Sequence, residues 1–379
     1  MPARRVDEPI EEFRVRNAAY QRQWQKARVT KQYDAAGNVT GKSVVRVPLR
    51  KPHERLPNTI LARRSSLLDA EGNILQQWLI EKPEEKAKLE AWQEAARVLA
   101  EPLPRAEPVA APAATLDHLL TLYPVGDHHL GMLSWRHETG DSYDLDIGER
   151  LLTEAMAHLV AVSPASEEAV IAFLGDFLHY DSFEAVTPAN RNLLDADGRY
   201  PKVFAAGLRL MRRAIETAAA RHGRVHVVVE IGNHDPSSAI VLMISLANIY
   251  ENDPRITIDT SPRHFHYYEF GKVALGFHHG HGRAAKAEQL PGIMAADRCE
   301  MWGRTRYRYW HTGHVHHTTV KDHAGCTTES HRILPPADAY AAHEGYRAPR
   351  DMKAIVYHRD YGEVGRSVVN PSMLERKTA

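Results

Sequence analysis

Five short clusters in this 379-residue chain carry side chains that do chemistry in combination. In order they are Asp127-x-His129, Gly175-Asp176, Gly232-Asn233-His234-Asp235, His278-His279-Gly280-His281 and Gly313-His314-x-His316. Carboxylate and amide oxygens with imidazoles make a donor set without sulfur, which suits manganese, iron, zinc or a similar first-row ion. There are more donors than one ion takes. Two ions sharing a bridging carboxylate would use them all, and such paired ions, about 3.5–4 Å apart, clamp an in-line displacement at phosphorus. On extended chain, Asp-x-His and His-x-His put both side chains on one side, at a period of two. The glycines let the backbone turn sharply and come close to an ion or substrate. Each cluster alone is a weak signal, since a Gly-Asp pair is usually a turn and an Asp-x-His a surface loop.

The elements that must position these residues follow one grammar of strand, polar loop, helix. Residues 119–125 read as a strand ending at the Asp127 cluster. Residues 145–162 have helical periodicity, 169–174 read as a strand ending at Gly175-Asp176, and 203–222 as a long helix with an Arg-rich polar face. The apolar run 225–231, broken by His226 and Glu230, is a strand ending at Asn233-His234-Asp235, and 236–250 is a helix. This order implies right-handed crossovers and a mostly parallel core. Further strands are expected at 255–259, 264–270, 272–277, 307–311 (ending at Gly313-His314) and 352–358. The strand-rich second half predicts an α/β fold of two stacked mixed β-sheets flanked by helices, a four-layer sandwich. In such sheets the carboxyl ends of the strands share a rim, so clusters far apart in sequence can converge there.

Composition is ordinary for a soluble protein, with 43% hydrophobic and 25% charged residues and 48 basic against 48 acidic side chains. The basic charge is uneven: residues 1–66 hold 15 Lys/Arg against 6 Asp/Glu. Residues 1–100 therefore read as a basic α+β N-terminal extension of helix (11–28), hairpin (32–47) and helix (83–100), followed by a Pro/Ala linker at 101–115 and the main domain at 116–379. The extension reads either as an arm that meets phosphates or as a solvated face packing on protein. Cys299 and Cys326 are too few for a disulfide framework or a thiolate zinc site. The N-terminus lacks the apolar segment of a signal peptide and no run approaches the length of a membrane span, so a cytoplasmic protein without membrane association is expected. Oligomeric state has no signature in the sequence.

With its five clusters in this order, the chain resembles the calcineurin-like metallophosphoesterase superfamily, whose pattern is Asp-x-His, Gly-Asp, Gly-Asn-His-Asp/Glu, a His before Gly, and Gly-His-x-His. The resemblance spans Asp127 to His316. It implies that Asp127, His129, Asp176 and His316 hold one divalent ion and that Asp176, Asn233, His279 and His314 hold the other, with Asp176 bridging. It also implies that His234 is the catalytic histidine near the scissile phosphate, with Asp235 holding and polarising it. In the fourth block His278, His279 and His281 compete, and His279 is chosen because it directly precedes Gly280. His278 and His281 are then expected to face the substrate, with Arg304 a further substrate-binding candidate. Manganese is the expected metal, with iron, zinc and magnesium as alternatives. His128 and His317 would point away from the ions. His266, His323, His331 and His343 are expected to be structural or surface residues.

The chain is also similar to phage and prophage metallophosphoesterases described as DNA-repair exonucleases. The basic arm, the Arg-rich strip 298–308 with Trp302, Tyr307 and Tyr309, and the cytoplasmic composition favour a phosphodiesterase acting on nucleic acid. A phosphomonoesterase or small-molecule phosphodiesterase is the alternative. A metal-binding interaction module without catalysis is a third reading, disfavoured because no ligand is missing. The loop 179–200 and the tail after His317 are expected to shape specificity.

Overall fold

The computed structural model describes residues 27–33, 39–46, 59–68, 74–83, 106–282 and 286–374. The chain divides into two compact units, Met1–Glu101 and Pro102–Ala379. In the first, β1 (Ala27–Tyr33) pairs antiparallel with β2 (Val39–Arg46), and β3 (Thr59–Leu68) with β4 (Ile74–Pro83). The strand at Ala27 replaces the last residues of the helix expected at 11–28. The rest of that helix, and all but its first residue of the helix expected at 83–100, lie outside the described residues.

In the second unit, the six-stranded sheet runs β15 (Gly362–Val369), β14 (Met352–His358), β5 (Leu116–Val125), β6 (Ser166–Phe173), β7 (Arg224–Val229), β8 (Ile256–Ile258). β5 to β8 are parallel, while β14 is antiparallel to both β5 and β15. The five-stranded sheet runs β12 (Thr319–His323), β13 (Cys326–Ser330), β11 (Tyr307–Thr312), β10 (Val273–His278), β9 (His266–Phe270). β10, β11 and β13 are parallel, with β9 and β12 antiparallel at the edges. Both sheets are mixed, as expected. β12, β13 and β15 lie beyond the strands expected from the sequence.

The helices are α1 (Arg136–Thr139), α2 (Leu145–Val162), α3 (Tyr200–Ala219), α4 (Pro236–Ile249), α5 (Leu290–Asp297), α6 (Cys299–Arg304) and α7 (Ala339–His343), with a final turn at Pro371–Leu374. α2 begins where Asp144 accepts from Ile147 N at 2.8 Å. Its buried Leu145, Leu152, Ala155, Met156 and Leu159 recur at helical spacing and face the sheet.

Strand alternation decides which side chains fill the centre. On β10, Val273, Leu275 and Phe277 point between the sheets, where they meet Leu120 and Leu122 of β5, Val170 and Ala172 of β6, and Ile355 and Tyr357 of β14. Ala274 and Trp310 face the other way and pack with Leu290, Met294 and Met301 of α5 and α6. Helix, sheet, sheet, helix is the resulting order of layers. Among the described residues no helix is long and apolar enough to cross a membrane.

Candidate metal centre

Register brings the clusters together. Val125, Phe173 and Val229 are neighbours across the parallel strands β5, β6 and β7, so the three loops that follow leave the sheet side by side. His278 and Thr312 end the parallel pair β10 and β11 in the same way. Backbone bonds then join the loops: His129 N to Asp176 O (3.0 Å) and Gly313 N to His279 O (2.8 Å). Asp127 Oδ1 accepts from His314 N at 2.8 Å, which ties a loop of one sheet to a loop of the other.

Four of the seven candidate ligands do not sit on extended chain. His129, Asp176, His314 and His316 have φ of 44°, 47°, 67° and 56°, in the left-handed region that non-glycine residues rarely occupy. The expected period-two alternation within Asp-x-His and His-x-His is therefore corrected. Tight turns aim these side chains, at a cost of about 1–3 kcal/mol for each strained residue, which the surrounding contacts must offset.

Two groups built on Asp127 emerge in which one ligand atom from each side chain lies within 4.8 Å of the others, Asp127, His129 and His316, and Asp127, Asp176, His279 and His314, and a third group of His129, His179 and His234 adjoins them. Asn233 joins the second, with Oδ1 at 3.0 Å from His279 Nε2. Asp127 is common to both, the place that the sequence reading reserved for Asp176. One Asp176 oxygen, Oδ1, accepts from His234 N at 2.7 Å, while Oδ2 faces His279 Nε2 at 3.3 Å.

The donor arrangement fits cations. His279 Nδ1 lies 2.7 Å from the Leu174 carbonyl, which can only accept, so the neutral ring carries its lone pair on Nε2. That lone pair points at the Asn233 and Asp176 oxygens, and His316 Nε2 lies 3.4 Å from His129 Nε2 and 3.0 Å from Asp127 Oδ2. Acceptors converging in this way need a proton or a metal between them. Burial opposes protonation of His279, but Asp176 and Asp127 outweigh it and raise the ring to about 10. Burial likewise works against the charged forms of Asp127 and Asp176, yet the neighbouring histidines, His279 foremost, hold both below the usual carboxylate range. A divalent ion bound here would displace those protons and balance the same buried charge. His279 held through Nδ1 by a carbonyl is the usual way a ligating imidazole is oriented.

His234 is half-buried beside this centre, its ring centroid 4.8 Å from that of His129. Its Nδ1 lies 2.8 Å from the carbonyl of His179 and so donates to it. The expectation that Asp235 holds His234 is corrected. Asp235 is fully buried and its Oδ2 accepts from Leu178 N at 2.9 Å, with no bond to His234. Burial, then the charge of Asp176, raises its carboxyl to about 8. Asp235 and Asp181 stitch the loop after β6 to the start of α4: Asp181 accepts from Ser237 N (2.8 Å), Ser238 N (2.7 Å) and Ser238 Oγ.

The sequence reading placed His179 only at the start of the specificity loop 179–200, without a role at the centre. Its ring stacks on His234 at 5.5 Å, its Nδ1 is 3.3 Å from His129 Nδ1, and its buried Nε2 has no partner. Burial lowers its pKa to about 3. The available signal was its place three residues after Asp176.

Of the substrate-facing candidates, His281 is half-buried beside His279 and His314, with ring centroids 5.2 and 6.2 Å away. His278 is buried, accepts from Gly280 N at 2.8 Å and stacks on Phe265, so it is not poised for substrate. Arg304 is placed away from the centre. It ends α6, before the amino end of β11, while the site lies past the carboxyl end of that strand, roughly 20 Å along. It pairs with Glu269 at 2.8 Å. Arg308 in the same strip lies 4.2 Å over the Trp302 ring. His128 faces inward, donating from Nε2 to the Gly148 carbonyl (3.1 Å), and His317 is exposed. A further group, His311, Glu329 and His331, is no rival, because Lys353 and Arg366 already pair with Glu329 at 2.8 and 3.0 Å.

No family model matches the chain, and no curated protein matches it. Among solved structures it is similar to a conserved protein of Streptococcus pneumoniae described as a predicted phosphoesterase, with 10% identity over 66% of this chain and 97% of that one and a TM-score of 0.29. It is similar to Vps29 of Entamoeba histolytica complexed with zinc (13% identity, 66% and 99% coverage, TM-score 0.27). Vacuolar protein sorting 29 of Cryptosporidium parvum gives 12% identity, 67% and 100% coverage and a TM-score of 0.32. Scores this low carry no weight for activity, which must come from the site itself.

Proposed function

We propose that this chain is a dinuclear-metal-dependent phosphoester hydrolase of the calcineurin-like kind, acting as a phosphodiesterase on nucleic acid. The observation that carries the reading is the convergence of two buried carboxylates, four imidazoles and one amide oxygen into two overlapping ligand groups beside His234. Asp127, His129 and His316 would hold one ion, and Asp176, Asn233, His279 and His314 the other, with Asp127 and Asp176 between them. When bound, such ions lower the pKa of water and offset charge on phosphoryl oxygens. Oxygen and imidazole donors favour manganese, with iron, zinc and magnesium compatible.

The chain's own residues supply the rest. Because His234 Nδ1 is committed to the His179 carbonyl, its exchangeable proton is on Nε2. A protonated Nε2 can donate to the leaving oxygen, a role worth typically 10²–10⁴-fold in rate. The tie of His234 N to Asp176 Oδ1 keeps this ring in register with the ligand set. The excess of basic residues in 1–66 supports nucleic acid as substrate. The internal pairing of Arg304 and Arg308 favours the competing reading, a phosphomonoesterase or small-molecule phosphodiesterase.

The test compares single-stranded DNA, duplex DNA, mononucleotides and a generic phosphodiester with manganese present. Metal content is measured for Asp176→Ala and His234→Ala. Asp176→Ala should lose metal and turnover together, whereas His234→Ala should keep its metal and lose about 10²-fold or more in turnover. A fully active His234→Ala protein would remove His234 from the mechanism. Exclusive action on mononucleotides would favour the small-molecule reading.

A further inference from the structure

The loops that follow β5 and β6 are laced together by their backbones. His129 N donates to the Asp176 carbonyl (3.0 Å), Leu130 N to that of Phe177 (2.8 Å), and His179 N to that of Leu130 (3.0 Å). This pairing sets the buried rings of His129 and His179 edge to face, with 5.2 Å between centroids and 3.3 Å between their Nδ1 atoms.

Two facing ring nitrogens make a bond only if one donates and the other accepts. The rest of the centre decides which. His129 turns its Nε2 to the first ligand group, 3.4 Å from His316 Nε2, and ligation there needs the lone pair on that atom. The proton of the neutral His129 ring is then on Nδ1, and His179 Nδ1 must accept it. That leaves the His179 proton on Nε2, which is buried and meets no partner among the described residues. An unmatched buried donor works against folding, and a phenylalanine would fill similar space without one. What histidine adds over phenylalanine at this position is the acceptor on Nδ1.

The other contacts of His179 do not need an imidazole. Its backbone carbonyl lies 2.8 Å from His234 Nδ1, and its stacking on the His234 ring asks only for a flat face. Ligating imidazoles ordinarily donate their far N–H to a fixed acceptor, which sets tautomer and orientation. For His279 that acceptor is the Leu174 carbonyl at 2.7 Å. For His129 it is a side chain, and a substitution can therefore remove it.

We propose that His179 is a positioning residue of the metal centre: its Nδ1 accepts from His129 Nδ1 and so aims His129 Nε2 at the ion held with Asp127 and His316. This rests on the reading of the centre as a pair of divalent ions. His129, His179 and His234 also lie close enough to share an ion of their own. Such an ion would draw on both nitrogens of His129 at once, which requires that ring to give up its last proton.

The experiment titrates manganese into the metal-free full chain by calorimetry, for wild type, His179→Asn, His179→Phe and His179→Leu. Asparagine places an oxygen where histidine has Nδ1 and so keeps an acceptor. Phenylalanine keeps the ring and the stack without one. Leucine, likewise without an acceptor, takes its place if the phenylalanine variant does not fold, which thermal unfolding of the metal-free proteins checks. His179→Phe should weaken one of two binding steps by about 10- to 100-fold, while His179→Asn stays near wild type. A purely packing role predicts the opposite order, because phenylalanine fills the site better than asparagine. Wild-type affinity in His179→Phe, or an equal loss in His179→Asn, would overturn the proposal and leave the metal centre standing. Three ions in wild type falling to two in His179→Phe would make His179 a ligand and overturn it as well. No manganese uptake by wild type would sink the metal centre itself, and the proposal with it.

Discussion

Asp235→Asn separates two accounts of the residue beside His234. If Asp235 polarised His234, removing its charge would cost the 10²–10⁴-fold typical of a lost acid–base function. In the structure it does something else: its Oδ2 accepts from Leu178 N at 2.9 Å in a fully buried position, while the His179 carbonyl holds His234. Asparagine keeps an acceptor for Leu178. The loss is further limited because burial, with Asp176, raises the Asp235 carboxyl to about 8, so it is largely neutral at pH 7 already. An ion on Asp176 would relax the like-charge part of that rise and leave the burial part. The change then trades one neutral acceptor for another, at most about 1 kcal/mol, or roughly fivefold in kcat. The pH dependence of stability adds a sign. A carboxyl whose folded pKa is raised loses stability as pH climbs from its unfolded value near 4 to about 8, so in metal-free protein Asp235→Asn should gain on wild type across that window. Asp235→Ala is different, since it leaves the Leu178 N–H buried without an acceptor, about 1–3 kcal/mol, which lowers the Tm by about 2–12 °C. The assay combines kcat on a generic phosphodiester, metal content and thermal unfolding. A hundredfold loss of kcat in Asp235→Asn with full metal content would refute the structural account.

Gly232→Ala should empty the centre although no ligand is altered. A Cβ there would fall on the Asp176 N and Oδ1 and close to Asp235, so metal content and activity should drop together, and normal metal loading would show that the turn yields. In the chelated protein acid should charge two buried histidines at a cost to stability. Burial lowers His222 and His311 to about 4, so their contribution is complete above an unfolded pKa near 6.5 and is lost as pH falls toward 4, about 1–3 kcal/mol each. Measured against a His222→Gln variant, in which the opposing gain at Asp235 is unchanged, wild type should lose more Tm from pH 6.5 to 5, and equal declines would contradict it.

Much of this architecture is legible in the residues. Helix α2 and strand β14 occupy the stretches that their periodicity marks out, and the alternation of Val273, Leu275 and Phe277 announces a strand with one face toward a second sheet. The edge strands are not legible, because pairing alone makes them: β12 is exposed along almost all of its length and β15 alternates around Gly362 and Gly365, so neither has an apolar run to reveal it. The same division holds at the site. Residue type and order single out Asp127, His129, Asp176, Asn233, His279, His314 and His316 as donors, since their chemistry is a property of each side chain and their clusters are local. How the donors are aimed is a property of register. Only the packing of one sheet on the other brings the Leu174 carbonyl under His279, and only the parallel alignment of β6 with β7 brings the His179 carbonyl under His234. The same alignment gives Asp235 to Leu178 rather than to its neighbour His234, and the strand length of β11 carries Arg304 away from the candidate ligands. Backbone carbonyls and N–H groups are common to every residue, so their part in orienting a ring is invisible until tertiary structure sets their positions.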